Sequence, residues 1–169
     1  MVIMGIDAST KCTGYGIVDS NCELITHGTI DFKSEQDIDV RIDGMIRGLN
    51  DLFKVIMPDI VYIEDSWKAG KVLNIETTKK LTNIIGATRC LCIQNKSLFN
   101  SVYPSEWRAA IGIDGGKGTK REEFKQRAVE WVEKKFNIDV ADDEAEGICI
   151  ACAGNIMNNR MFDEEEDLF

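Results

Sequence analysis

Four acids crowd the start of "VADDEAEGICIACAG" (Val140 to Gly154): Asp142, Asp143, Glu144 and Glu146. An unbroken run of apolar and small residues follows, and no Lys or Arg appears until Arg160. In a helix Asp143 and Glu146, at i and i+3, share a face, and Asp142 and Glu146, at i and i+4, also share one. Two more carboxylates stand at the ends of apolar runs, Asp7 in "VIMGID" and Glu64 in "DIVYIED". Acids packed together without bases are costly, because each raises the free energy of its neighbours' charged form. Hard divalent cations relieve that cost: Mg²⁺ takes oxygen ligands and keeps waters for substrate phosphates. A pair of such ions activates water and steadies the leaving oxygen in phosphodiester hydrolysis. The plainer reading is an acidic first turn that complements the helix dipole. Asp7 and Glu64, placed at strand ends, tip the balance toward a metal site. The loop after Asp7, "ASTKCTGYG", brings Ser, Thr and Gly beside it, a weak phosphate-cradling signal.

These residues need elements to position them. "VIMGID" reads as a buried strand, and "GYGIVDS" and "ELITHGTIDF" follow as two more, with "DSNCE" as the hairpin turn between them. From Asp37 to Met57 the period changes: Ile38, Ile42, Met45, Ile46, Leu49, Leu52, Phe53 and Ile56 recur at helical steps. Pro58 ends that helix, and "DIVYIED" is the fourth strand. Asn74 to about Gln94 reads as a second helix, and "SLFNSVY" as a fifth strand. "PSEWRAAIG" is a short helix that Gly112 closes. Thr119 and Glu122 have capping-box spacing for a helix to about Phe136. Asp142 or Asp143 caps the last helix, which is expected to end near Asn158. Antiparallel strands followed by strands alternating with helices imply an α/β fold. Its mixed five-stranded sheet, three antiparallel strands then two parallel, is flanked by helices on both faces.

One domain is expected over residues 1–159, with an acidic, disordered tail at 160–169. The N-terminus has no basic leader, and no stretch reaches a membrane-spanning length. The six cysteines then read as reduced thiols of a cytoplasmic protein. "CIAC" (Cys149 to Cys152) lacks zinc partners, since His27 is the sole histidine, and reads as core packing. The formal charge of −9 argues against nucleic acid until it is divided. Residues 66–135 hold 14 Lys and Arg against 7 Asp and Glu, a local +7, and the remainder is −16. A polyanion can use that basic middle.

"GIDASTKCTGYGIV", "YIEDSW" and "DDEAEGICIA" together resemble the three acidic motifs of the RuvC family of Holliday junction resolvases, over roughly residues 1–157. The resemblance implies an RNase H-like fold, a homodimer, and Mg²⁺- or Mn²⁺-dependent cutting of four-way DNA junctions; the carboxylate cluster is expected to hold two such ions per site. It carries catalytic and metal-binding roles onto Asp7, Glu64, Asp143 and Glu146, although Glu146 replaces the usual Asp and Asp142 offers a competing register. It places a junction wedge at Trp67 and puts Arg108 and Lys120 near the family's DNA-contacting or catalytic lysines; Lys117 and Arg121 in the same basic loop, and Lys68 and Lys71 beside Trp67, are further candidate DNA contacts. Ala8 and Ser9 stand where cellular relatives have proline and glycine, and the overall acidity is more like the phage branch. The helix over "NIETTKKLTNIIGATRCLC" is the expected dimer face. Two rivals remain at this level: a non-catalytic junction-binding protein, and a phosphotransferase of the actin-like ATPase superfamily. The second requires a further domain that 169 residues do not supply, so no nucleotide cofactor is expected.

Overall fold

The structure, a computed structural model, describes residues 1–65, 75–113, 115–116 and 118–166, without the side chains of 76, 77 and 161–166. Strands β1 (Val2–Asp7), β2 (Cys12–Asp19) and β3 (Leu24–Asp31) form an antiparallel meander. Helix α1 (Ile38–Ile56) crosses to β4 (Ile60–Glu64), and α2 (Ile75–Asn95) crosses to β5 (Leu98–Val102). Helices α3 (Pro104–Ala110), α4 (Arg121–Phe136) and α5 (Asp142–Glu166) complete the chain. The sheet order is β3-β2-β1-β4-β5, with β1–β4 and β4–β5 parallel, as helical crossovers require. This is the mixed five-stranded sheet that the pattern implies.

The strand period of two divides the core. Ile3 of β1 packs with α3, α4 and α5 residues such as Trp107, Val132 and Ile148. Met4 and Ile6 pack on the other face with Met45, Leu49 and Phe53 of α1 and Ile84 and Leu91 of α2. The α1 prediction holds to the residue at its start: Asp37 is the N-cap, and its carboxylate accepts from the Asp39 and Val40 N–H groups.

The apolar body of α5 answers why acids precede it. Ala145, Ile148, Cys149, Ile150, Ala151, Cys152 and Ala153 are wholly buried, so this helix lies flat on the sheet centre. Cys149 and Cys152 are core residues, as read from the sequence. Glycines permit the close approach. A Cβ on Gly14 would overlap the Asp143 carbonyl, and one on Gly147 would meet the backbone of Tyr15. The contact of Gly14 with Asp143 sets the height of the acidic first turn over the end of β1.

Three local expectations differ. Neither Asp142 nor Asp143 caps α5: the helix opens with Asp142 itself, one residue after Ala141. Thr119 does not cap α4: its hydroxyl donates to the Gly116 carbonyl within a tight turn, and Lys120 is the N-cap without a side-chain bond. Helix α5 runs on past Asn158 to Glu166, so the backbone of the acidic segment from 160 is helical that far. Among the described residues, no helix is long and apolar enough to cross a membrane.

Candidate active site

Asp7 is the last residue of β1, and Glu64 the last of β4. The parallel register pairs Ile6 with Ile63, which sets the two carboxylates side by side at one end of the sheet. Neither strand alone signals this; it follows from the α1 crossover. Helix α5 enters over the same end, bringing Asp143 above Gly14 and turning Glu146, 4% exposed, inward.

The electrostatics confirm the crowding. Loss of water around the Asp7 carboxylate raises its pKa well above the ordinary value, and the charges of Glu64, Glu146 and Asp143 raise it further. Desolvation also raises Glu64, against a lowering by the Trp107 hydrogen bond and the Arg108 and Arg121 charges. Glu146 is raised by desolvation and then by Glu64. The four acids expected from the sequence therefore form one interacting group.

Of its supporting groups, Arg108 is among the basic residues expected from the sequence, whereas Trp107 and Lys125 are not. Trp107, fully buried, donates Nε1–H to Glu64 Oε2 at 2.7 Å. Arg108 lies between the rings of Trp107 and Phe124, with its guanidinium carbon 4.8 and 4.4 Å from their centroids. Its Nη2 stands 3.4 Å from Glu146 Oε1. Lys125 of α4 corrects the expectation of acids without bases. Its Nζ is 2.7 Å from Asp142 Oδ2, 3.4 Å from Asp143 Oδ1 and 4.0 Å from Glu146 Oε2. Burial pulls the Lys125 ammonium down, but the bond to Asp142 and the charges of Asp143 and Glu146 outweigh that and hold it above its ordinary value. Lys33 reaches Asp143 Oδ2 at 3.5 Å.

The acids of the first turn thus divide. Glu144 accepts from the Ala141 N–H and meets His27 Nδ1 at 3.4 Å, so it closes the helix start and ties α5 to β3. Asp142, side chain 47% exposed, is held below the usual carboxylate range by its Lys125 bond. Asp143 and Glu146 face the strand ends. Of the expected DNA contacts, Arg108 sits inside the site, while Lys120 and Arg121 are exposed at the head of α4. Trp67, Lys68, Lys71 and Lys117 lie outside the described residues.

The donor set is all carboxylate oxygen, which suits a hard divalent cation. Among the described residues, no three His, Cys, Asp or Glu side chains converge as a preformed chelate. The carboxylates are engaged instead by Trp107, Arg108 and Lys125. The oxygen-only donor set and the crowded negative charge fit a divalent ion.

A sheet of this order, with two acids at adjacent strand ends and a C-terminal helix delivering two more, defines an RNase H-like nuclease fold. The family model described as "Crossover junction endodeoxyribonuclease RuvC" matches residues 3–152, and the chain belongs to that family. A relative so named from Halorhodospira halophila is 28% identical over 151 residues, covering 88% of this chain and 89% of its own. One from Aliarcobacter butzleri is 34% identical over 125 residues, covering 72% and 78%. The solved structure "T. thermophilus RuvC in complex with Holliday junction substrate" superposes with a TM-score of 0.74 over 95% of this chain and 96% of that one. At 14% identity, that likeness is one of fold.

Proposed function

We propose that this chain resolves four-way DNA junctions by hydrolysing phosphodiester bonds at the cluster of Asp7, Glu64, Asp143 and Glu146. Family membership makes it a crossover junction endonuclease. The observation that carries the site assignment is geometric: Asp7 and Glu64 end adjacent parallel strands, and α5 brings Asp143 over Gly14 and buries Glu146 at the same sheet end.

The four carboxylates are the residues to hold two divalent cations, Mg²⁺ or Mn²⁺. Bound there, such ions lower the pKa of a ligated water and offset charge on the phosphate oxygens. The chain's own contributions are positional. Trp107 fixes the Glu64 carboxylate through its indole N–H. Arg108, clamped between two rings, steadies Glu146. Attack of the water oxygen on phosphorus, in line with the 3′ oxygen, breaks the P–O3′ bond. The products are a 5′-phosphate and a 3′-hydroxyl, the latter taking the proton. Two symmetric cuts in a two-fold junction call for a two-fold pair of sites, so the working form is a homodimer, with α2 as its candidate face. Trp67 and Lys120 are DNA contacts on the resemblance, and Lys68, Lys71, Lys117 and Arg121 are further contacts on their basic segments. The six free thiols suit a reducing, cytoplasmic setting.

Product analysis tests this reading. Labelled four-way junction and linear duplex are incubated with protein and Mg²⁺, and the nicked strands are offered to DNA ligase. Paired cuts in the junction alone, sealed directly by ligase, are expected. Equal cutting of linear duplex, or ends that ligase does not seal, contradicts it.

A further inference from the structure

Beside the catalytic carboxylates the surface forms a polar cavity of about 300 Å³. Asp7 and Asp143 line one side, Ser9 and Thr10 the loop after β1, and Arg41, Lys80 and Arg121 the rest. Arg41 comes from α1, a helix otherwise accounted for by its apolar face. Its Nη1 donates a long, 3.4 Å bond to the Glu35 carbonyl. Its Nε is buried and has no hydrogen-bond partner among the described residues. That atom is sealed from solvent, so a ligand in the cavity meets the rest of the guanidinium, whose Nη1 bond to Glu35 is long. Among the described residues no ion pair reaches Arg41, so its charge has no carboxylate against it although Asp7 and Asp143 line the same cavity.

We infer that Arg41, with Lys80, forms a subsite for a DNA phosphate next to the one that is cut. This rests on the nuclease reading and adds to it a binding residue that the acidic motifs do not contain. The chemistry is specific. A phosphodiester offers two charged oxygens, and a guanidinium presents N–H donors in a fork that matches them. The cavity's acidic side is reserved for cations and the scissile group, so its basic side takes a neighbouring phosphate. A contact of this kind fixes the register of the strand over the carboxylates and carries no base information.

The test is junction binding by full-length protein in EDTA, which prevents cutting and removes Mg²⁺ competition for phosphate. Fluorescence anisotropy is measured over a range of salt concentrations for wild type, Arg41→Gln, Arg41→Lys and Lys80→Gln. Arg41→Gln is expected to bind about tenfold more weakly, as loss of one charged hydrogen bond implies. Its plot of log affinity against log salt should be shallower by about 0.9, the counterions of one phosphate. Arg41→Lys should restore the slope. A merely structural Arg41, anchoring the turn at Glu35, lowers the melting temperature and leaves the slope unchanged; that result overturns the inference. If Arg41→Gln does not fold, Lys80→Gln carries the same slope test. A second arm replaces DNA with inorganic phosphate. Loss of phosphate binding in Arg41→Gln with an unchanged DNA slope assigns the cavity to a free anion and also overturns the inference. Absence of junction binding by wild type fails the nuclease reading instead.

Discussion

Carboxylates sit in two settings at this sheet end, and they behave oppositely. Asp7, Glu64 and Glu146 are desolvated and crowded, and their pKa values are pushed up. Asp142, one step outward on α5, is half exposed and bonded to Lys125, and its pKa is pushed down. The first setting is unfavourable until an added cation arrives. The second is already satisfied by the fold. Asp143 touches both settings: it pairs with Lys125 and Lys33, yet it lines one cavity with Asp7 and its charge bears on Asp7, which Asp142 does not do, and that position is what favours Asp143 over Asp142 in the proposed metal-binding set.

The largest effect that probes this contrast is on catalysis. Asp143→Asn and Glu146→Gln should each lose most junction cleavage in Mg²⁺, and Asp142→Asn much less. A dead Asp142→Asn beside an active Asp143→Asn would reverse the assignment.

Trp107→Phe comes next. It keeps an aromatic ring in the core but removes the donor to Glu64. Losing such an orienting partner costs about 10–100-fold in metal affinity or activity. Direct titration of Mn²⁺ by electron paramagnetic resonance reads the affinity arm, and an unchanged affinity with unchanged cleavage would remove Trp107 from the site.

Lys125→Met is a smaller perturbation with a stability readout. It leaves Asp142 and Asp143 without their nearest cation, and loss of a charged hydrogen bond costs about 1–3 kcal/mol. Denaturant melts of metal-free protein should show that loss, and added Mg²⁺ should shrink it. An equal loss with and without metal would mean that Lys125 serves packing alone.

The smallest effect is the pH dependence, and its sign differs between the settings. A carboxylate whose folded pKa is raised binds more protons folded than unfolded, so its contribution falls as pH rises from about 4 through the raised value. Asp7→Asn should therefore raise the metal-free melting temperature at pH 7, with a gain that fades toward acid. Asp142 has the opposite sign: its contribution is present above its ordinary pKa and lost as pH falls through the lowered one. Asp142→Asn should lower the melting temperature at pH 7, and that loss should fade toward acid. The same sign for both variants would break the comparison.

The first setting was far more legible in the sequence than the second. Asp7 and Glu64 end apolar strands, and the α1 period implies the crossover that makes those strands neighbours. Asp143 and Glu146 share a helix face by spacing alone. Lys125 meets Asp142 across 17 positions of chain, and no local pattern marks that pairing. Trp107 reads as an ordinary apolar residue of a short helix; the sole hint is that a buried indole needs an acceptor. Arg41 sits in a helix whose apolar stripe accounts for its place. The capping-box spacing at Thr119 misled because Gly118, at φ +101°, turns the chain so that the hydroxyl meets Gly116 first. Side-chain chemistry along an element is read from sequence, whereas contacts between elements are settled by packing.

The central claim, that Asp7 belongs to a metal-dependent cutting site for junction DNA, is tested most directly by one paired assay. Wild type and Asp7→Asn are compared for cleavage and gel-shift binding of a synthetic four-way junction with Mg²⁺. The account predicts that wild type cuts, while Asp7→Asn does not cut yet binds the junction at least as tightly, since a neutral amide ligates poorly and repels phosphate less. An Asp7→Asn variant that cuts at near wild-type rate would contradict it.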